Sequence, residues 1–229
     1  MSEVTLYLGD CLDVMKGMDA GSVDAVITDP PYGLGFEYTS FVDTRENVKR
    51  LVDNLIPLAR KVAKRVFVLP GITQVNLYPE PDWIACITWN TTGSFGKYGF
   101  TQWMPIICYG TDIKGFGSVN GGTLKSDVIR ISGGGGVGFM RSGEKDKHPC
   151  PKPVNLMRLI MERFTLPGET ILDPLMGIAT TGVACIQTGR NFIGIEIDPG
   201  YYAIAEKRIR QAQQQPTLWD AASGSTRGR

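Results

Sequence analysis

The run Val23-Asp24-Ala25-Val26-Ile27, with the residues that follow it, constrains this chain more than any other stretch. It is short, apolar, rich in β-branched residues, and bounded by Gly21-Ser22 on one side and prolines on the other. Such a run reads as a parallel strand buried on both faces, and so as part of an α/β sheet. Thr28-Asp29-Pro30-Pro31-Tyr32 comes next and sets Asp29 at the strand's carboxyl end, where open α/β sheets bind ligands. Two consecutive prolines fix φ and donate no N–H, which makes the turn stiff and leaves its carbonyls free to face a ligand. A carboxylate, the bare Pro30 carbonyl and the Tyr32 ring on one rigid turn suit a flat heterocycle with an exocyclic amine. The acceptors take its N–H groups while the aromatic ring stacks on it. An ordinary strand-to-loop turn is the alternative these residues leave open.

The rest of the chain alternates strand-like and helix-like segments. Thr5 to Leu8 reads as a strand, and Leu12, Val14, Met15 and Met18 suggest a short helix. After Tyr32, the Gly- and aromatic-containing stretch from Gly33 to Thr39 reads as a mobile loop. Asp43 or Thr44 then caps a helix whose apolar stripe runs from Val48 to Val62, with a kink expected at Pro57. Arg65 to Leu69, Trp83 to Trp89 and Met104 to Tyr109 are further apolar runs. Between Thr91 and His148 glycine is frequent and periodicity is slight beyond Val128 to Ile131, the mark of a functional or disordered insert. Residues 112–152 hold seven basic residues (Lys114, Lys125, Arg130, Arg141, Lys145, Lys147, Lys152) against four acids, in a chain whose net charge is +1. That local excess favours contact with phosphates, although a solvated loop would show much the same.

Regular order returns with an amphipathic helix at Val154 to Phe164 and a buried strand at Thr170 to Asp173. A short helix from Thr180 to Gln187, a strand at Asn191 to Glu196 and a last helix capped by Asp198 follow. The turn Asp173-Pro174-Leu175-Met176-Gly177-Ile178-Ala179-Thr180-Thr181-Gly182 joins a strand to a helix through small residues, which allow close backbone approach at a helix N-terminus. Glu196 ends the next strand, where an acid accepts hydrogen bonds from ribose hydroxyls. The ligand expected here is a nucleoside-containing cofactor, either a dinucleotide or S-adenosylmethionine. Asp173 leans towards the second, because a carboxylate there repels a pyrophosphate but holds an ammonium group.

Composition limits the remainder. At 229 residues, 42% hydrophobic and 21% charged, the chain fits one large α/β domain or a domain with an insertion. No stretch reaches membrane-spanning length and Met1-Ser2-Glu3 opens no signal peptide. Five scattered cysteines without a C-x-x-C pair, and the single His148, make no zinc site and read as reduced cytosolic thiols.

Asp29-Pro30-Pro31-Tyr32, His148-Pro149-Cys150-Pro151-Lys152-Pro153, Asp173 to Gly182, and Phe192-Ile193-Gly194-Ile195-Glu196-Ile197-Asp198 together resemble the amino-methyltransferases that act on DNA. Their order, amine motif before cofactor motif, resembles the circularly permuted β group, as does Gly9-Asp10-Cys11-Leu12. The resemblance implies a Rossmann-like, doubly wound and mostly parallel seven-stranded sheet, and methyl transfer from S-adenosylmethionine to an amine on an extruded base of double-stranded DNA. It implies that Asp29 and Pro30, with Pro31 in the same turn, bind the amine and that Tyr32 stacks. It further implies that Asp10, Lys152, Pro153, Asp173, Pro174, Gly177, Thr180, Thr181, Glu196 and Asp198 surround the cofactor. Asp rather than Ser at the first motif position goes with adenine N6 more often than with cytosine N4. Family members commonly carry Phe at the position of Leu175 and Gly at that of Ala179. The expected organisation is one domain over residues 1–212, a short target-recognition-like insert at about 91–148 and a disordered tail over 213–229. A cytoplasmic enzyme of restriction-modification or phage type is implied, in a family that contains homodimers. A cytosine-N4 enzyme, a catalytically weak DNA-binding relative and a dinucleotide oxidoreductase are the alternatives.

Overall fold

The computed structural model describes residues 2–89, 94–96, 99–101, 103–110, 128–131 and 152–215. In chain order the elements are β1 (Val4–Leu8), α1 (Cys11–Lys16), β2 (Val23–Thr28), α2 (Arg45–Val62), β3 (Ala63–Val68), a 3-10 turn (Ile72–Leu77), β4 (Trp83–Trp89), β5 (Ser94–Gly96), β6 (Gly99–Thr101), β7 (Trp103–Gly110), β8 (Val128–Ile131), α3 (Val154–Phe164), β9 (Thr170–Asp173), α4 (Thr180–Gln187), β10 (Asn191–Glu196) and α5 (Pro199–Gln213).

Eight strands form one sheet in the order β1-β10-β9-β2-β3-β7-β4-β8, and β5 pairs with β6 in a separate hairpin. Every pairing in the large sheet is parallel except those of β7, which runs antiparallel to both β3 and β4. The sheet therefore has one strand more than the seven expected. The addition is β8, whose four residues pair with β4 at the edge. Within the span 91–148, β7 and β8 are strands of the main sheet. Lys114, Lys125, Arg141, Lys145, Lys147 and His148 lie outside the described residues, as does the tail from 216. Arg130 is exposed on β8.

The central strands are apolar throughout because both faces are covered. On β2, Ala25 and Ile27 join the core made with α3, α4 and α5, whereas Val26 joins the core made with α1 and α2. β3 divides in the same way, with Phe67 on the first face and Val66 and Val68 on the second. This is the period of two expected of a strand between two helical layers. Gly182 permits the close packing of α4 on β10, since a Cβ there would sit 2.6 Å from the Phe192 ring.

One expectation about the second layer changes, that of a mobile loop after Tyr32. α2 is a single 18-residue helix that contains Pro57. Its flanking contacts, among them buried Leu55, Ile56 and Ala59, hold the helix on the sheet across the missing N–H. The loop after Tyr32 is tethered by buried Asp43, whose carboxylate accepts from the N–H groups of Gly33 (2.6 Å), Leu34 (3.0 Å) and Phe36 (3.0 Å). Its main-chain carbonyl accepts from the Gly35 N–H. Thr44, the next residue, caps α2 by accepting from the Asn47 N–H.

Candidate active site

The carboxyl ends of β2, β9, β10 and β1 come together because these strands are parallel neighbours. A pocket opens there, lined by Asp10, Asp29, Pro30, Pro31, Tyr32, Lys152, Asp173, Pro174, Gly177, Thr180, Thr181, Glu196 and Asp198. Of the residues singled out in the sequence, only Pro153 stays outside the lining, and it serves instead as the N-terminal cap position of α3.

Asp173 ends β9 and is 2% exposed. Its carboxylate accepts from the Thr28 hydroxyl (2.9 Å), the Thr181 hydroxyl (2.6 Å) and the Leu175 N–H (3.2 Å). These donors are all neutral. Burial pushes the carboxyl up to about 6 despite the hydrogen bonds, and the nearby Asp29 charge adds to the rise. A buried carboxylate with only neutral donors is a receptor for a cation.

Glu196 ends β10 and is held from two sides. The Gly177 N–H donates to Oε2 (2.9 Å) and the Asp198 N–H to Oε1 (2.8 Å). Gly177 can turn its N–H this way because its backbone is left-handed, with φ of 52°. Burial raises the Glu196 carboxyl above its ordinary value, against these two bonds. The remaining lone pairs of a carboxylate so fixed suit hydroxyl donors. Asp198 caps α5 through the N–H groups of Gly200 and Tyr201. Burial pushes its carboxyl up, but these bonds outweigh that and leave it below its ordinary value. Asp10 caps α1 by accepting from the Leu12 N–H at 2.7 Å.

Asp29 lines the same pocket, directly after the end of β2. The Tyr32 hydroxyl donates to its Oδ1 at 2.7 Å, and the Lys152 ammonium to its Oδ2 at 2.6 Å. Lys152 also lies over the Tyr32 ring, 4.8 Å from the centroid. Lys152 thus contacts the Asp29–Tyr32 turn while lining the same pocket as Asp173, Glu196 and Asp198.

Several lining residues carried no assignment in the sequence reading. Tyr38, Ser40 and Phe41 reach the pocket from the loop tethered by Asp43, and Ser40 donates to Asp198 at 3.3 Å. Tyr201 enters from α5 and Leu12 from α1. Thr28 ends β2, and its signal in the sequence is a hydroxyl at the end of an otherwise apolar strand, where one buried polar group must find a partner.

The departure at Ala179 has a backbone consequence. Ala179 precedes α4 with φ 56° and ψ 44°, the one non-glycine residue with positive φ among the described residues. It is fully buried. Leu175 lines the pocket.

A family model described as DNA methylase matches residues 122–207. The chain is 24% identical to the DNA adenine methyltransferase YhdJ of Escherichia coli (strain K12) over 250 residues, covering 90% of this chain and 82% of that protein. Among solved structures, an M1.HpyAVI complex with S-adenosylmethionine superposes with a TM-score of 0.62 at 22% identity, over 90% of this chain and 98% of the other. The PvuII DNA methyltransferase, described as cytosine-N4-specific, superposes with a TM-score of 0.65 at 15% identity, over 91% and 86%.

Proposed function

We propose that the chain is a DNA methylase, as its likeness to that family model and to YhdJ supports, and that it moves a methyl group from S-adenosylmethionine to the exocyclic N6 amine of an adenine extruded from double-stranded DNA. The observation that carries this reading is that Asp29 and Tyr32 open into the same pocket as Asp173 and Glu196.

The donor set fits S-adenosylmethionine. Buried Asp173 receives an ammonium group, and Glu196 receives ribose hydroxyls. Pro174, Gly177, Thr180 and Thr181 line the same pocket, as do Asp10 and Asp198. A dinucleotide fits poorly, since a pyrophosphate would face the Asp173 carboxylate. When bound, the cofactor supplies a methyl group on a sulfonium sulfur, which leaves as a neutral thioether.

The work of the chain is positioning and electrostatics. An adenine amine is a poor nucleophile because its lone pair is delocalised into the ring. Hydrogen bonds from its two N–H groups to Asp29 and the Pro30 carbonyl favour a pyramidal nitrogen with the lone pair directed at the methyl. Asp29 also offsets the positive charge that grows on that nitrogen, and the proton it sheds leaves to solvent. Extrusion costs on the order of a few kcal/mol, and stacking on Tyr32 returns roughly 1–3 kcal/mol. The Pro30-Pro31 backbone keeps acceptor and ring in register.

Adenine is favoured by Asp at the first position of the turn and by the adenine specificity of YhdJ. Cytosine N4 offers the same amine and is the second reading, favoured by the likeness of fold to PvuII. The test is incubation with S-adenosylmethionine and unmethylated plasmid DNA, followed by nucleoside mass spectrometry. N6-methyldeoxyadenosine is expected. N4-methyldeoxycytidine would replace adenine by cytosine, and unmodified DNA would remove the enzymatic reading.

A further inference from the structure

Lys152 is an unusual neighbour for an amine-binding carboxylate. Its side chain is 4% exposed and that of Asp29 22%. A lysine so buried needs a partner, because an uncompensated ammonium away from water is strongly unfavourable. Its partner is the carboxylate assigned to the substrate, at 2.6 Å. The same ammonium lies 4.8 Å from the Tyr32 ring centroid, within the range of a cation–π contact. Lys152 thus makes both contacts required of the target: an N–H donated to Asp29, and a position on the face of Tyr32. With the Tyr32 hydroxyl on the other oxygen, each carboxylate oxygen already receives a proton donor.

We propose that the Lys152 ammonium holds the seat of the target amine while no DNA is bound, and that base entry exchanges one N–H donor on Asp29 for another. This rests on the reading of Asp29 and Tyr32 as the amine site. The unbranched lysine stem has the rotatable bonds to swing its ammonium aside. It keeps Asp29 paired at every stage. It also confers selectivity for the kind of base. A base whose amine stands at the adenine N6 or cytosine N4 position replaces the lost donor, whereas thymine O4 and guanine O6 would turn a carbonyl oxygen towards the carboxylate and leave its Oδ2 without a donor. Lys152 is in this sense a specificity-determining residue that rejects keto bases and does not separate adenine from cytosine.

The test compares wild type, K152M, K152Q and K152R in methyl transfer from tritiated S-adenosylmethionine to unmethylated plasmid DNA, with KM for DNA and kcat measured separately. Removing the internal competitor should lower KM for DNA about tenfold in K152M, the equivalent of roughly 1.4 kcal/mol. K152R should return KM towards the wild-type value. K152Q keeps a neutral N–H donor for Asp29 and no charge to bury. It keeps the inference testable if K152M does not fold, and its KM should fall in the same direction. A lysine that served only to attract DNA would raise KM when removed. One that stayed on Asp29 during transfer would lower kcat with KM unchanged. Either result, in K152M or in K152Q, overturns the inference while wild-type transfer upholds the proposed function. Absence of transfer by wild type overturns both.

Discussion

Replacing Asp173 by Asn should make the protein more stable and stop it binding its cofactor. The carboxyl is 2% exposed and ionises at about 6 where an ordinary Asp ionises at 3.8. A native-state value above the unfolded one means that the folded chain holds its proton more tightly. The stability this confers is complete below pH 4 and is lost as pH rises from about 4 to about 6. Above pH 6 the ionised carboxylate is carried at full cost. A displacement of about two pH units at ~1.4 kcal/mol each gives roughly 3 kcal/mol. Asn keeps the Leu175 N–H bond and can donate to the Thr181 hydroxyl, so D173N should gain about 1–3 kcal/mol at pH 8. Urea unfolding of both proteins at pH 4.5 and pH 8, without cofactor, reads the difference. The gap should open with rising pH. Calorimetry supplies the second half. Wild-type affinity for S-adenosylmethionine should fall by up to about tenfold per pH unit below pH 6, as Asp173 takes a proton in place of the ammonium. D173N should bind weakly at every pH. A D173N protein less stable than wild type at pH 8, or one that binds the cofactor as well as wild type, would refute the view of Asp173 as a cation receptor held in reserve.

Other substitutions probe the remaining parts. D29A should lower methyl transfer by about 10²–10³ while the cofactor still binds by calorimetry, since an electrostatic contact to the reacting nitrogen is lost; full activity would remove Asp29 from the site. D43A leaves three loop N–H groups without their carboxylate and should cost about 2–4 kcal/mol, with protease cleavage appearing between Gly33 and Phe41. A179G removes a Cβ from a left-handed backbone; the ~1–2 kcal/mol relieved exceeds the ~0.5–1 kcal/mol of added chain entropy, so urea midpoints should rise slightly. T28V removes one donor to Asp173 and should move the pH midpoint of cofactor binding upward; an unchanged midpoint would mean that this hydroxyl does not tune the carboxyl.

The strands and helices nearest the chemistry were readable because their patterns are local. β9, β10, α3 and α4 begin and end where apolar period and flanking residues place them, and Asp198 and Thr44 cap their helices through their own side chains. The tethered loop was not readable in this way. Gly33, Gly35 and Tyr38 look like a mobile segment until Asp43 folds back on them, and one carboxylate serving several N–H groups leaves no periodic trace. The edge strand β8 is short and sits in a glycine-rich stretch, so its pairing with β4 is a long-range event that propensity does not carry. Lys152 shows a third limit. The resemblance groups it with the cofactor pocket, which it lines, but its ion-pair partner Asp29 lies 123 residues away just after β2, and no local pattern announces that contact.

Thr28 links the two parts of the proposed site. Thr28 is the last residue of β2, immediately before Asp29, and its hydroxyl donates to Asp173 at 2.9 Å across 145 residues of sequence. β2 and β9 are parallel neighbours with Ala25 opposite Ile171 and Val26 opposite Leu172. A slip of one residue would turn Thr28 to the other face and carry Asp29 away from Asp173. In the proposed reaction, the distance between an amine held by Asp29 and an ammonium held by Asp173 is thus set by strand register, which buried apolar side chains on both faces enforce. Methyl transfer needs the reacting atoms in near contact, and a misplacement of about 1 Å can cost 10²-fold. What the reaction requires of this chain is adjacency in the sheet, and that is why motifs so far apart in sequence can serve one step.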